Sequence, residues 1–164
     1  SGPALVRYPR GVGIGAEVGD GFDSLPWGRA EIVRHGRGVA ILAFGTLLQS
    51  ARHVGDRLDA TVVNMRFVKP LDQALVLQMA CDHELLVTLE ENVVQGGAGS
   101  AVNETLHAAG IAANVLNLGL PDVFIEHATQ AEQLEIAGLS PQQIESRVLA
   151  ALGKQSGGSQ AAQA

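Results

Sequence analysis

The chain has one cysteine, Cys81, among its 164 residues. A lone thiol excludes an internal disulfide and leaves no cysteine cluster for zinc, and it fits a reducing compartment. No apolar run approaches the roughly 18 residues that a membrane-spanning helix requires. The N-terminal stretch has no hydrophobic region of the signal-peptide kind. Cations are scarce, with 11 Lys and Arg against 17 Asp and Glu, for a net charge of -6. Nucleic acid as a partner is thereby disfavoured, because its phosphates would be repelled. A small anion gripped by one or two local arginines remains compatible with that balance. Aromatic residues make up only 4%, so the core must be aliphatic.

What is present is a globular composition, 46% apolar, in a length suited to one domain with a real core. Residues 1–27 hold six glycines and three prolines with little periodicity, which reads as a connector from an upstream element. Residues 28–152 form the domain. Residues 153–164, "GKQSGGSQAAQA", are small and polar and read as a disordered tail.

Within the domain, strand and helix patterns alternate. "RAEIVRH" (29–35) reads as a half-buried strand and "VAILAFG" (39–45) as a fully buried one. The short turn Gly36-Arg37-Gly38 between them predicts an antiparallel pair, with 29–35 as the edge strand. Thr46 with Gln49 has the spacing of a capping box opening the next helix. "ATVVNM" (60–65), "ELLVTLE" (84–90) and "AANVLNLG" (112–119) read as buried strands, with helices over "QALVLQMACD" (73–82), N-capped by Asp72, and "SAVNETLHAAG" (100–110). Two further helices follow, opened by Thr129 with Glu132 and by Ser140 with Gln143, the latter with Pro141 in its first turn. Repeated strand-helix-strand units predict a three-layer α/β fold. Its sheet is five-stranded and mostly parallel, with one antiparallel edge strand and helices on both faces.

Several clusters carry possible chemistry. "RYPRG" (7–11) spaces Arg7 and Arg10 by three on a proline-stiffened segment beside Tyr8. Planar guanidinium forks suit phosphate. A solvated basic linker has the same spacing, so both readings stand at this level. Gly19-Asp20-Gly21 opens like a thiamine diphosphate and magnesium motif. The asparagine pair that such a motif needs is missing, since "FGTLLQS" (44–50) stands at that distance, so the triplet reads as a loop turn. "QGGAGSAVNE" (95–104) follows a strand and opens a helix, the context of a phosphate loop. It lacks GxGxxG spacing and GK[ST], and its glycines read better as room for the helix to pack on the sheet or on a partner subunit.

Glu90 and Glu91 end a buried strand, where open α/β sheets place their sites. Adjacent strand residues face opposite ways, so the two do not form an acid/base pair, and a capping or ion-pairing role is expected. Arg66 and Lys69 in "MRFVKPLD" (65–72) suit an anion, or equally carboxylates across an interface. His127 precedes a capped helix and reads as a hydrogen-bonding strut. His35, His53, His83 and His107 have no ligand spacing, and no Ser-His-Asp or Cys-His arrangement is legible.

Taken in order, "VRYPRG", "LAFGTL", "VVNMRFVKPLD", "LVTLEENVVQGGAGSAVNE", "LNLGLPDVFIEHAT" and "GLSPQQI" resemble the C-terminal part of the 1-deoxy-D-xylulose-5-phosphate synthases, transketolase-like thiamine enzymes of bacteria and plastids. The resemblance spans residues 3–152. "KPLD" and "EEN…GG" alone would fit any transketolase C-terminal domain, including that of 2-oxo acid dehydrogenase β subunits, where it acts as a partner-docking module. "RFVKPLD" together with "LGLPDVFIEH" favours the synthases. Ala128 stands where the family pattern has glycine, and alanine tolerates a positive φ poorly.

The resemblance implies a cytoplasmic, bacterial, homodimeric transferase that condenses pyruvate with glyceraldehyde 3-phosphate and releases CO2. Its product feeds isoprenoid, thiamine and pyridoxal synthesis. Thiamine diphosphate and magnesium are implied in the parent enzyme and are bound by upstream domains that this chain does not include. None is expected here, and the chain alone is expected to be inactive. Arg10 is implied to help hold the substrate phosphate, with Arg7 and Tyr8 in support. The implied partners are the upstream domains, a second subunit and glyceraldehyde 3-phosphate. A small flavodoxin-type ligand binder is the competing reading of the fold.

Overall fold

A computed structural model describes residues 2–6, 8, 13, 15, 19, 21 and 24–161, with side chains described as far as Gly153. Five strands form one sheet: β1 (Glu31–Arg34), β2 (Val39–Phe44), β3 (Thr61–Asn64), β4 (Leu85–Val93) and β5 (Val115–Leu120). Five helices surround it: α1 (Leu48–Leu58), α2 (Gln73–Asp82), α3 (Ala98–Ala108), α4 (Gln130–Ile136) and α5 (Pro141–Ala161). The strand order is β1-β3-β2-β4-β5, with β1 antiparallel and the other four parallel. The expected three-layer, mostly parallel sheet is therefore the observed one.

The central strands explain why the sheet has helices on both sides. Every residue of β2 is buried. Alternate side chains divide between two cores. Ile41, Val62, Val87 and Leu89 pack with Ala51 and Val54 of α1 and with Ile144 and Val148 of α5. Ala40, Leu42, Val63 and Leu86 pack on the other face with Val76 and Met79 of α2 and Val102 and Leu106 of α3. Thr88 is fully buried within β4, and its hydroxyl donates to Asn117 Oδ1 of β5 at 2.8 Å, so this polar group enters the core with its hydrogen bond made.

Three details differ from the sequence reading. The edge strand β1 is antiparallel as expected, but its neighbour is β3, not β2. The Gly36-Arg37-Gly38 segment is not a hairpin turn; it crosses over the start of β3. Arg37 N–H donates to Asp59 O at 2.7 Å, and a Cβ on Gly36 would lie 2.2 Å from that same oxygen. Only a glycine lets the chain cross that closely, and the crossing leaves room for β3 between β1 and β2.

The Thr46–Gln49 capping box does not form either. Gly45–Leu47 is a 3-10 turn, and α1 begins at Leu48 without a side-chain cap. Thr46 instead turns its hydroxyl to Glu91. Finally, α5 continues to Ala161, so helical backbone covers much of the segment read as a disordered tail. Propagating a nucleated helix fixes few dihedrals per added hydrogen bond, which favours such an extension.

The caps at Asp72 and Thr129 are as read from the sequence, and the one at Ser140 is so in part. Asp72 accepts from Leu75 N–H, and Thr129 with Glu132 makes a reciprocal capping box. At Ser140 the box is one-sided: Gln143 Oε1 accepts from the Ser140 backbone N–H at 3.2 Å and from its hydroxyl at 2.8 Å.

Candidate functional site

Because β2, β3, β4 and β5 are parallel, their carboxyl ends and the loops that follow lie along one edge of the sheet. An open groove runs along that edge. It is bordered by Phe44 to Thr46 after β2, by Arg66 and Val68 to Leu71 after β3, by Glu90 to Asn92 with the glycine loop on β4, and by His127 and Ala128 beyond β5. Carboxyl ends of parallel strands are where folds of this class gather their sites.

Glu90 lies at the base of the groove and is 3% exposed. Its two carboxylate oxygens accept the first free amides of α3, Ala98 N–H at 2.7 Å and Gly99 N–H at 2.8 Å. A buried carboxylate is tolerated here because both oxygens are paired and the helix N-terminus carries partial positive charge. The glycine loop thus already holds an anion, and that anion belongs to the protein. Its glycines serve close packing, as the spacing suggested. A Cβ on Gly97 would lie 2.4 Å from Glu90 Oε2, and one on Gly99 would lie 2.6 Å from Thr88 Oγ1.

Glu91 faces the other way, as alternation requires. One oxygen accepts from Gln130 Nε2 of α4 at 3.0 Å and the other accepts the Thr46 hydroxyl. Glu91 therefore ties α4 and the 3-10 turn to the end of β4. No sequence signal linked Thr46 to Glu91, because they meet only through the β2–β4 pairing.

The two cations after β3 have separate fates. Arg66 has a positive φ of 57° and donates from Nη2 to Glu31 on the edge strand at 2.5 Å. Arg66 thus meets a carboxylate of its own chain, neither a bound anion nor a carboxylate across an interface. Lys69 is exposed in the groove and has no carboxylate partner among the described residues. His127 borders the groove, exposed, and among the described residues has no hydrogen-bond partner, so the strut reading is not met. Ala128 does not have a positive φ, so replacing the family's glycine brings no backbone strain there. Of the lead-in residues, Tyr8 is exposed and borders the groove. Arg7, Arg10 and Asp20 lie outside the described residues.

Around this edge several large apolar side chains are open to solvent: Trp27, Val68, Val123 and Phe124. Trp27 packs edge-on against Phe67, with ring centroids 5.4 Å apart. Next to the groove, Val93, Leu120, Ile125 and Leu134 line a smaller cavity of about 250 Å³.

Residues 28–144 match the family model of the transketolase C-terminal domain. The chain belongs to that family. Relatives of this transketolase C-terminal domain include the 1-deoxy-D-xylulose-5-phosphate synthase of Thioalkalivibrio sulfidiphilus, 59% identical over 151 residues. That match covers 92% of this chain and 24% of the relative. The synthase of Pseudomonas syringae pv. syringae is 56% identical over 148 residues, covering 90% of this chain and 24% of the relative. The domain thus spans about a quarter of the length of these relatives. Among solved structures, a split-gene transketolase described as an inactive β4 tetramer superposes with a TM-score of 0.73 at 34% identity, over 79% of this chain and 44% of that one. The transketolase of Campylobacter jejuni, at 17% identity and a TM-score of 0.51, covers 74% of this chain and 18% of that one and shares the fold.

The described residues do not fit thiamine diphosphate with its metal. Among them, no group of three His, Cys, Asp or Glu side chains is placed to hold an ion. The helix terminus that would suit a diphosphate is filled by Glu90.

Proposed function

We propose that this chain is the C-terminal domain of a 1-deoxy-D-xylulose-5-phosphate synthase. The reading rests on one observation: 59% identity to such a synthase across 92% of the chain. The parent enzyme joins the two carbons that remain of pyruvate, after loss of CO2, to glyceraldehyde 3-phosphate. Thiamine diphosphate and magnesium belong to upstream domains, in keeping with the poor fit of the residues here. The enzyme is a cytoplasmic homodimer, and this domain alone does not turn over.

Two roles fall to the chain itself. Residues 28–152 are a rigid scaffold whose groove edge, with Val68, Val123 and Phe124 exposed and Trp27 of the lead-in beside it, packs against the upstream domains and the second subunit. Exposed apolar side chains gathered at one edge mark such a contact. Residues 1–27 are the lead-in, and the RYPRG segment contributes Arg10 to the phosphate of glyceraldehyde 3-phosphate, with Arg7 and Tyr8 in support. The position of Tyr8 beside the groove supports this assignment. A charge-assisted hydrogen bond of this kind contributes about 1.5–3 kcal/mol. Residues 153–164 take no part.

The test has two arms. Adding the chain to the separately produced upstream domains should restore CO2 release from pyruvate in the presence of glyceraldehyde 3-phosphate, while neither piece alone releases it. In the full-length enzyme, Arg10→Ala should raise KM for glyceraldehyde 3-phosphate at least tenfold and leave KM for pyruvate near its original value. Unchanged KM for the aldehyde would remove the clamp assignment, and failure of the mixture to release CO2 would remove the synthase reading.

A further inference from the structure

His83 is the C-cap residue of α2, and its ring lies in a cluster whose donors and acceptors can be counted. Nδ1 is 3.1 Å from Met79 O, a carbonyl of the last helical turn, and Nε2 is 2.7 Å from Thr61 Oγ1 at the start of β3. The Thr61 hydroxyl is 3% exposed at residue level and has two more neighbours, both on Gly36 in the β1–β2 crossing. Gly36 N–H donates to it at 3.0 Å, and Gly36 O lies 3.2 Å away as an acceptor.

A carbonyl only accepts, so Nδ1 must carry a proton in either charge state of the ring. The hydroxyl has a single proton and two acceptors within reach. With the ring neutral, Nε2 has no proton, and the hydroxyl must donate to it; Gly36 O is then without the hydroxyl. With the ring protonated, Nε2–H donates to Thr61 Oγ1, and the hydroxyl proton must turn to Gly36 O. Every contact is made in the charged state, and one is lost in the neutral state.

We propose that His83 is a proton-operated latch, in which protonation of the ring closes a hydrogen bond from Thr61 to Gly36 and so fastens the β1–β2 crossing to α2 and β3. The ligand of the latch is the proton itself. The crossing is held closely at this point, since Gly36 packs directly on Asp59 and Ala60. Other charged groups near the latch belong to each neighbouring element: Asp82 and Glu84 flank the ring on its own segment, Asp59 precedes β3, and His35 and Arg37 flank Gly36. Asp59 is engaged by Arg34 at 3.1 Å and by Arg37 at 3.6 Å. The latch is independent of the synthase reading, because it involves no residue of the groove.

The experiment is a pH titration of the whole ¹⁵N,¹³C-labelled chain by NMR, following the His83 ring nitrogens and the Gly36 carbonyl carbon. The expected neutral form is the Nδ1–H tautomer, with the Gly36 carbonyl resonance moving downfield as His83 gains its second proton, along the same curve. In His83→Gln the Gly36 carbonyl should stay flat through that range, and His35→Gln should leave the wild-type curve in place. A neutral Nε2–H tautomer, a Gly36 carbonyl that ignores the His83 titration, or a curve that survives His83→Gln would each overturn the latch.

Discussion

Glu90 and Ala98 are joined by a 2.7 Å hydrogen bond from the first backbone amide of α3 to a buried carboxylate in the second half of β4. With the companion bond from Gly99 N–H, it means that the glycine loop of this domain is closed by the protein's own anion. Glu90→Gln removes the charge and sets an amide NH2 against a backbone N–H. Charge-assisted bonds of this kind are each worth about 1.5–3 kcal/mol, so a loss of about 2 kcal/mol is expected. For a chain of this size that is a fall in Tm of about 4–8 °C, to be read by calorimetry at neutral pH. An unchanged Tm would show that the carboxylate is not needed for the cap.

Gly99 and Gly153 should respond with opposite sign to the same substitution. A Cβ on Gly99 would lie 2.6 Å from Thr88 Oγ1 and 3.1 Å from Asn117 Oδ1, both held in the part-buried Thr88–Asn117 bond. Gly99→Ala should destabilise by about 1–3 kcal/mol, as overpacking does. Gly153 lies within α5 with nothing near its missing Cβ, so Gly153→Ala should stabilise by about 0.5–1 kcal/mol through helix propensity. Urea unfolding of the two variants beside the parent chain measures both.

Arg57 of α1 and Glu145 of α5 clasp the two helices on one face of the sheet, Nε to Oε2 at 2.6 Å. The hydrogen bond from Arg57, aided by its charge, holds the Glu145 carboxyl below the usual carboxylate range, and His53 adds a smaller effect. A folded-state pKa below the unfolded one stabilises the fold above the unfolded value. That contribution is lost as pH falls through the folded value. Arg57→Gln should therefore return the Glu145 titration, followed by carboxyl ¹³C shifts, to the ordinary range and flatten the acid limb of stability. A Glu145 curve unmoved by the substitution would show that the pair is not made in solution.

Phe124 and Val68 separate folding from assembly. Both are exposed at the groove edge. Phe124→Ser and Val68→Ser should leave the stability of the isolated chain within about 0.5 kcal/mol, as surface changes do. In the full-length homodimeric synthase proposed above, the pair should weaken dimerisation at least tenfold in analytical ultracentrifugation. Full-strength dimers would move the assembly surface away from this edge.

Much of this architecture is readable along the chain. The continuous apolar run Val39–Phe44, the buried runs of β3 and β4, and the caps at Asp72 and Thr129 depend on neighbours within a few residues. Such signals survive in one dimension because side-chain periodicity and capping geometry are local. The candidate site was legible only in outline. Glu90 and Glu91 were readable as structural carboxylates, for capping or for pairing with a cation, and the glycines as packing residues, but which of the two caps α3, and through which amides, was not.

Three matters were settled only in three dimensions. The sequence between Arg34 and Val39 is compatible with a hairpin or with a crossing, and the choice fell to the room that Gly36 leaves over Asp59 for β3 to enter the sheet. Thr46 has a cap-like spacing to Gln49, yet a carboxylate brought beside it by the β2–β4 register took its hydroxyl. Arg66 was separated from Lys69 by the antiparallel edge strand, which placed Glu31 opposite Asn64 and within reach of one cation only. The sequence by itself determined the order of strands and helices within residues 28–152, because that follows from local periodicity. The tertiary structure decided which polar groups meet, because hydrogen bonding between distant segments depends on strand order and register.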